Sequence, residues 1–395
     1  VTAQDRDRAL LARLQAENKE LRADLRKPKR DPEAARLWEE NKLLRSDLRR
    51  LEQETAPLRR DAEARAAVQH VVKDVDVPRW ATEETTRAGE HGVPSVLATD
   101  WHTGETINER LIGGVNRYNR SIQEDRVRLL ALNGVEMLTK HTTNPRYPGM
   151  VLAVGGDMVS GGIHEELAVT NWCDLRDAVR ITARMLCGVI TAFAEKVTPN
   201  VLVPMVSGNH GRLTKFTQHK RRVGTSADAM IYDAVAEHFH RDRSITCAIA
   251  EGVSLRYRIF DHRYLLLHGD KDSIGQKGGD GIIGAIGPLM RGKKSLRARN
   301  AEIGQDFDTL VAGHWHFRYP IPGLIVGQAL KGYDELAWGW GLPFGEPTQE
   351  LWFTHPSRGV TSHHPIFLEP KKTRKTSERW ASIDARGVLR QEAAA

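Results

Sequence analysis

Three cysteines, Cys173, Cys187 and Cys247, are all that 395 residues contain, and no two of them stand in a CxxC spacing. That excludes a disulfide framework and fits reduced structural thiols in a cytosol. Long hydrophobic runs are also missing. No stretch approaches the roughly 18 apolar residues of a membrane span, and the N-terminus is charged where a secretory signal needs an apolar centre. The expected location is cytoplasmic, with no membrane partner. What the chain does have is 40% hydrophobic and 28% charged residues, enough to bury one large core with additional segments. Its net charge of +7 suits an anionic partner only weakly, because a basic balance more often serves solubility.

The first 75 residues have no glycine and are rich in Leu, Glu, Arg and Lys. Leu11, Leu14, Asn18, Leu21 and Leu25 fall on heptad a and d positions, as do Leu37, Asn41, Leu44, Leu48 and Leu51. The segments AENKELRADLRK (16–27) and EENKLLRSDLRR (39–50) are near copies, hence an internal repeat, separated by Pro28 and Pro32. Pro57 ends or kinks the second helix. An asparagine at an a position favours a parallel two-stranded pairing in register, so a homodimer through these helices is expected. The alternative is a helical hairpin folded on its own domain. Residues 76–92 read as a polar linker, 93–370 as the main domain and 371–395 as a basic tail.

In the main domain, apolar runs end in polar residues at loop positions. Val151 to Asp157 (VLAVGGD) reads as a buried parallel strand that delivers an aspartate. Pro94 to Asp100 (PSVLATD), followed by Trp101-His102, repeats the design, as does VLVPMV (201–206) before Ser207-Gly208-Asn209-His210. Two later runs end in His268-Gly269-Asp270 and in Gly313-His314-Trp315-His316. Helical patterns at about 122–141, 165–197 and 226–240 separate the early strands, which implies right-handed crossovers and a parallel core with ligands at the carboxyl ends. Short strands at 254–260, 264–267, 309–312, 324–330 and 351–355 follow. The expected fold class is α/β, a two-sheet mixed β-sandwich flanked by helices, with an N-terminal coiled-coil arm.

The ordered set Asp100-x-His102, Gly156-Asp157, Gly208-Asn209-His210, His268 before glycine, and Gly313-His314-x-His316 resembles the calcineurin-like metallophosphoesterase superfamily over residues 93–370. The resemblance implies the metallophosphoesterase fold and two divalent metals bridged by Asp157. Asp100, His102 and His316 would complete one site, and Asn209, His268 and His314 the other. Two metals about 3.5–4 Å apart activate water and clamp an in-line displacement. Mixed imidazole and carboxylate ligands suit manganese, with iron or zinc possible, over magnesium or calcium. The family's equivalent of His210 faces the substrate and protonates or stabilises the leaving oxygen. Here the acidic residue that usually follows that histidine is replaced by Gly211 and Arg212, so either an orienting carboxylate comes from elsewhere, with Asp270 as one candidate, or His210 is less well poised as an acid.

Charge position is the clue to substrate. RLTKFTQHKRR (212–222) follows the GNH loop, and RGKKSLRAR (291–299) lies between His268 and His314. Arg212, Lys215, Arg291, Lys293 and Lys294 are therefore expected on the rim, neutralising several phosphates of a nucleic acid; the alternative is a solvated helix face. The glycines of 278–287 suggest a loop. Trp338 and Trp340 fit core packing better than base stacking. His164, His219, His238, His240, His262, His363 and His364 match no site spacing. The leading expectation is a metal-dependent phosphodiesterase or nuclease. The alternatives are a phosphomonoesterase and, from a different class, a coiled-coil scaffold with a vestigial site.

Overall fold

Short apolar runs, most of them buried on both faces, build two sheets. In the computed structural model the first sheet contains β1 (Val93–Ala98), β2 (Met150–Val154), β3 (Val201–Met205), β4 (Ile245–Ile249), β10 (Thr348–His355) and β11 (Gly359–Phe367), ordered β11-β10-β1-β2-β3-β4. The second contains β5 (Ser254–Ile259), β6 (His262–Leu267), β7 (Thr309–Ala312), β8 (Tyr319–Ile321) and β9 (Leu324–Val326), ordered β5-β6-β7-β9-β8. The described residues are 78–82, 92–142, 145–214, 216–217, 220, 222–274, 281–339 and 341–370. They fall in the unit Val71–Ala395. The heptad arm, its pairing and the basic tail lie outside the described residues.

Both sheets are mixed. β1 to β4 run parallel, with β10 and β11 added antiparallel beside β1. β6, β7 and β9 run parallel, flanked by antiparallel β5 and β8. Successive side chains of a strand point to opposite faces. Val151 and Ala153 therefore join Tyr264, Leu266, Val311 and Trp352 in an apolar layer between the sheets. Leu152 and Val154 face the other way, onto the helices Arg120–Lys140, Leu175–Lys196 and Ala227–Phe239. Leu265 and Leu267 pack outward on Leu289 and Leu296 of the helix Gly281–Glu302. The result is helix, sheet, sheet, helix, in which each fully buried aliphatic or aromatic side chain contributes about 1.5–3 kcal/mol.

Several boundaries differ from the sequence reading, each for a local reason. The single helix expected over 165–197 is two, Glu165–Thr170 and Leu175–Lys196, because Asp174 caps the second by accepting from the Asp177 N–H at 2.9 Å. The strand expected over 324–330 stops at Val326. β4, β8 and β11 were not anticipated: β4 is only partly buried and β11 is largely half-exposed, so neither shows a continuous apolar run. The stretch read as linker contains the short helix Arg79–Thr82, whose Ala81 is fully buried and accepts from the Phe260 N–H at 2.5 Å.

The loop expected over 278–287 is corrected by the Gly281–Glu302 helix. Each glycine costs a helix only about 1 kcal/mol, and the buried Leu289 and Leu296 outweigh it. No helix among the described residues is long and apolar enough to cross a membrane.

Candidate metal centre

The carboxyl ends of β1, β2, β3, β6 and β7 converge on one spot, and each carries a polar loop. The loops after β1 and β2 continue their strands' ladder: the Asp100, His102 and Thr103 N–H groups donate to the Gly156, Asp157 and Met158 carbonyls, each at 3.0 Å. The other loops close on them only because two residues lack a side chain. A Cβ at Gly208 would collide with Asp157 Oδ1, and one at Gly313 with Thr99 Oγ1 and Asp100 Oδ2. Asp100, His102, Asp157, His314 and His316 all take left-handed backbone conformations, with φ between 48° and 69°. Such conformations cost L-residues roughly 1–2 kcal/mol each, and strain of this kind gathers at functional sites.

The side chains form three overlapping groups whose ligand atoms lie within 4.8 Å of one another: Asp100, His102 and His316; His102, Asp157 and His210; Asp157, His268 and His314. These buried His/Asp groups could hold a metal ion. Asn209 joins the third group, with Oδ1 3.1 Å from His268 Nε2.

The donor set fits a cation on two observations. His268 Nδ1 lies 2.8 Å from the Gly155 carbonyl, which can only accept, so Nδ1 carries a proton. Its Nε2 then faces Asp157 Oδ2 at 2.9 Å and Asn209 Oδ1. With no metal there, Nε2 must hold a second proton: burial disfavours that charge, but the Asp157 carboxylate raises the imidazole to about 10. Likewise His102 Nε2 and His316 Nε2 stand 3.3 Å apart, with Asp100 Oδ1 3.4 Å from His316. Their Nδ1 atoms face the carboxylates of Glu105 at 3.2 Å and Asp334 at 3.8 Å. Carboxylates behind imidazoles favour the Nδ1–H tautomer and leave lone pairs directed at a shared point.

The charges follow the same logic. Burial opposes ionisation of Asp100, yet the His316 and His268 imidazoles hold it at about 2. Burial also opposes the Asp157 charge, and His268 and His210 hold that carboxyl well below the usual range. Burial takes His210 down to about 3 and His314 to about 4, so both are neutral at neutral pH.

His210 differs from the sequence expectation in what orients it. Its Nδ1 donates to the Ser160 carbonyl at 3.1 Å, and its backbone N–H donates to Asp157 Oδ1 at 2.7 Å. Asp270 instead receives Arg222 Nη2 at 2.9 Å. A carbonyl from the loop after β2 thus stands where a carboxylate was sought. The exposed His164 ring sits 5.8 Å from that of His210, a neighbour the sequence reading did not associate with the site.

The rim residues separate. Arg212 is half-buried beside Asn209, its Nη1 donating to the Asn209 carbonyl at 3.4 Å. Lys215 lies outside the described residues. Arg291, Lys293 and Lys294 are on the Gly281–Glu302 helix, where Lys293 Nζ donates to the Pro322 carbonyl at 3.1 Å. Pro322 precedes β9, so Lys293 is at the amino end of that strand, away from the cluster. Trp338 is 50% exposed rather than packed in the core, because it lies across Gly113 at the surface.

Asp228, Glu105, Lys331 and Asp334 were also missed. The buried Lys331 ammonium lies 2.7 Å from both Glu105 and Asp334, the two carboxylates behind His102 and His316. Asp228 Oδ2 accepts from the Asp157 and Gly208 N–H groups at 3.0 and 2.8 Å, and Oδ1 from Met158 N–H at 3.2 Å, clamping the loops after β2 and β3 together. Burial and the Asp157 charge push Asp228 up to about 6. Asp228→Asn turns one acceptor into a donor facing N–H groups. A loss of about 1–3 kcal/mol is expected, measured as a lower urea midpoint at unchanged m.

The chain matches no protein-family model and no curated protein.

Proposed function

We propose that the chain is a phosphoester hydrolase with a dinuclear metal centre, acting on phosphodiesters of nucleic acid. The observation that carries this reading is the sharing of Asp157 by two His/Asp groups, one with His102 and His210, the other with His268 and His314. A carboxylate that belongs to two such groups suits a bridge. The resemblance of the motif order to calcineurin-like metallophosphoesterases supports it, and two mixed sheets flanked by helices are compatible with it. Asp100, His102 and His316 would hold one ion and Asn209, His268 and His314 the other, with Asp157 between them; manganese is the preferred occupant, and iron or zinc are compatible. When bound, such ions supply Lewis acidity at a phosphoryl oxygen and a nucleophile at neutral pH.

The chain's own groups account for the rest. Lys331 holds the Glu105 and Asp334 carboxylates behind the Nδ1 atoms of His102 and His316, 3.2 and 3.8 Å away, where their charge favours Nδ1–H and leaves each Nε2 free to ligate. His210 presents Nε2 beside the shared carboxylate while Ser160 holds its other nitrogen. An anionic phosphoester brought against it favours its protonated form, from which a proton can pass to the leaving oxygen. Arg212 next to Asn209 places a fixed cation at the edge of the cluster. The net charge of +7 favours approach of a polyanion.

The test is turnover of bis(nitrophenyl) phosphate against nitrophenyl phosphate by the manganese-loaded chain. A higher kcat/KM for the diester is expected. A preference for the monoester would replace the reading with a phosphomonoesterase, and turnover of neither would leave the scaffold role.

A further inference from the structure

The chain that leaves the candidate metal centre after Asn209 and His210 makes an excursion closed at its neck. Leu213 N–H donates to the Thr225 carbonyl at 2.8 Å and Ala227 N–H to the Gly211 carbonyl at 2.7 Å, which ties the two ends together beside the cluster. Arg212 braces the neck, donating from Nη1 to the Asn209 carbonyl at 3.4 Å and from Nε to the Thr214 carbonyl at 3.2 Å. Thr214 Oγ1 then donates to the Phe216 carbonyl at 2.8 Å. Phe216 follows Asn209 by seven residues, so their Cα atoms are at most about 25 Å apart.

Two features of this excursion stand together. Phe216 is 76% exposed and Leu213 47%, although burying such a side chain is worth about 1.5–3 kcal/mol. In the stretch 212–222, five of eleven residues are Lys or Arg and none is Asp or Glu. Arg222 is paired with Asp270, whereas Lys220 is exposed. Asp228, the next acid along the chain, is fully buried and accepts the Asp157 and Gly208 N–H groups. The excursion therefore offers solvent an aromatic ring and positive charge with no acid of its own. A ring alone would suit an apolar protein surface. A ring within an acid-free cationic stretch suits a polyanion that carries flat aromatic groups, which is a nucleic acid.

We infer that this excursion is a platform for single-stranded nucleic acid, on which Phe216 stacks against an unpaired base while Arg212 and Lys220 neutralise neighbouring phosphates. The inference rests on the phosphodiesterase reading and deepens it, by naming the substrate as a strand with unpaired bases. Every base has a π-face, so the contact is indifferent to sequence. In a duplex that face is covered by the adjoining base pairs, and Phe216 gains nothing there. With stacked bases about 3.4 Å apart, the ring lies within about seven nucleotides of a phosphate at the metal centre.

The experiment measures binding of the full chain to fluorescein-labelled oligothymidine, and to a duplex of the same length, by anisotropy with a chelator present so that neither is cut. Phe216→Ala is expected to weaken the single strand by at least about 5-fold and to leave the duplex within about 2-fold of wild type. Phe216→Trp should keep the strand affinity. Phe216→Leu, which retains apolar bulk without a π-face, should lose it as the alanine variant does. The ring is mostly in solvent, so these variants are expected to fold. Lys220→Gln should make the salt dependence of strand binding shallower, by about 0.7 in the slope of log K against log salt. Absence of strand binding by wild type, a Phe216→Ala variant as tight as wild type, or equal losses on strand and duplex overturns the platform. Full strand affinity in Phe216→Leu overturns stacking, and leaves an apolar contact suited to a protein partner. The two readings fail separately. A strand held through Phe216 by a chain that hydrolyses neither nitrophenyl ester supports the platform and defeats the phosphodiesterase; a diesterase whose strand binding ignores Phe216 does the reverse.

Discussion

Asp157→Asn is expected to lower kcat/KM for a phosphodiester by on the order of 10³-fold or more. Asp157 Oδ1 accepts the His210 N–H and Oδ2 faces His268 Nε2, so both oxygens are committed. An amide in its place removes the charge shared by two groups and sets an NH₂ against a donor. Metal content after dialysis, read by mass spectrometry, should fall together with activity. Undiminished hydrolysis by the variant would refute the metal assignment.

Lys331→Met is expected to cost about 3–5 kcal/mol of stability, read as a lower urea midpoint. The ammonium is buried between Glu105 and Asp334, and removing it leaves two carboxylates inside the protein without a counter-charge. It should also weaken metal binding by about 10–100-fold, because those carboxylates aim His102 and His316. The pH dependence has a fixed sign. Burial opposes the charge on Glu105 and on Asp334, yet Lys331 holds both below their ordinary values. The stability they supply is thus full above the ordinary carboxylate range and is lost as pH falls through the depressed values. In Lys331→Met that acid sensitivity should shrink. A variant as stable as wild type would show that the buried triad is neutral to folding.

The reading of the strands was possible because burial on both faces writes itself as a continuous apolar run, as in β2 and β3, and because each run ended in a residue type with few structural uses at a strand end. The helices between them were legible from spacing. What escaped had no such imprint. β11 is half-exposed along its length. The Gly281–Glu302 helix was obscured by its glycines and by Pro288. Glu105, three residues after His102, looks like any loop acid until Lys331 arrives from a segment more than two hundred residues away. Asp228 reads as a charge on the first turn of a helix, and its role as a clamp depends on two loops being brought to it. Lys331 and Asp334 did carry one usable signal: a lysine and an aspartate three apart, directly after an apolar run in the same position as the other ligand-bearing loops. Arg222 was visible only as one cation in a basic stretch, since nothing local marks which of several arginines turns inward.

The most direct test is a titration of the metal-free full chain with Mn²⁺, following bound metal and its electron paramagnetic resonance spectrum. Two ions per chain with a spin-coupled spectrum are expected, since Asp157 belongs to two groups of ligand atoms that lie within 4.8 Å of one another. A single uncoupled ion, or no binding, would contradict the dinuclear centre on which the proposed chemistry depends.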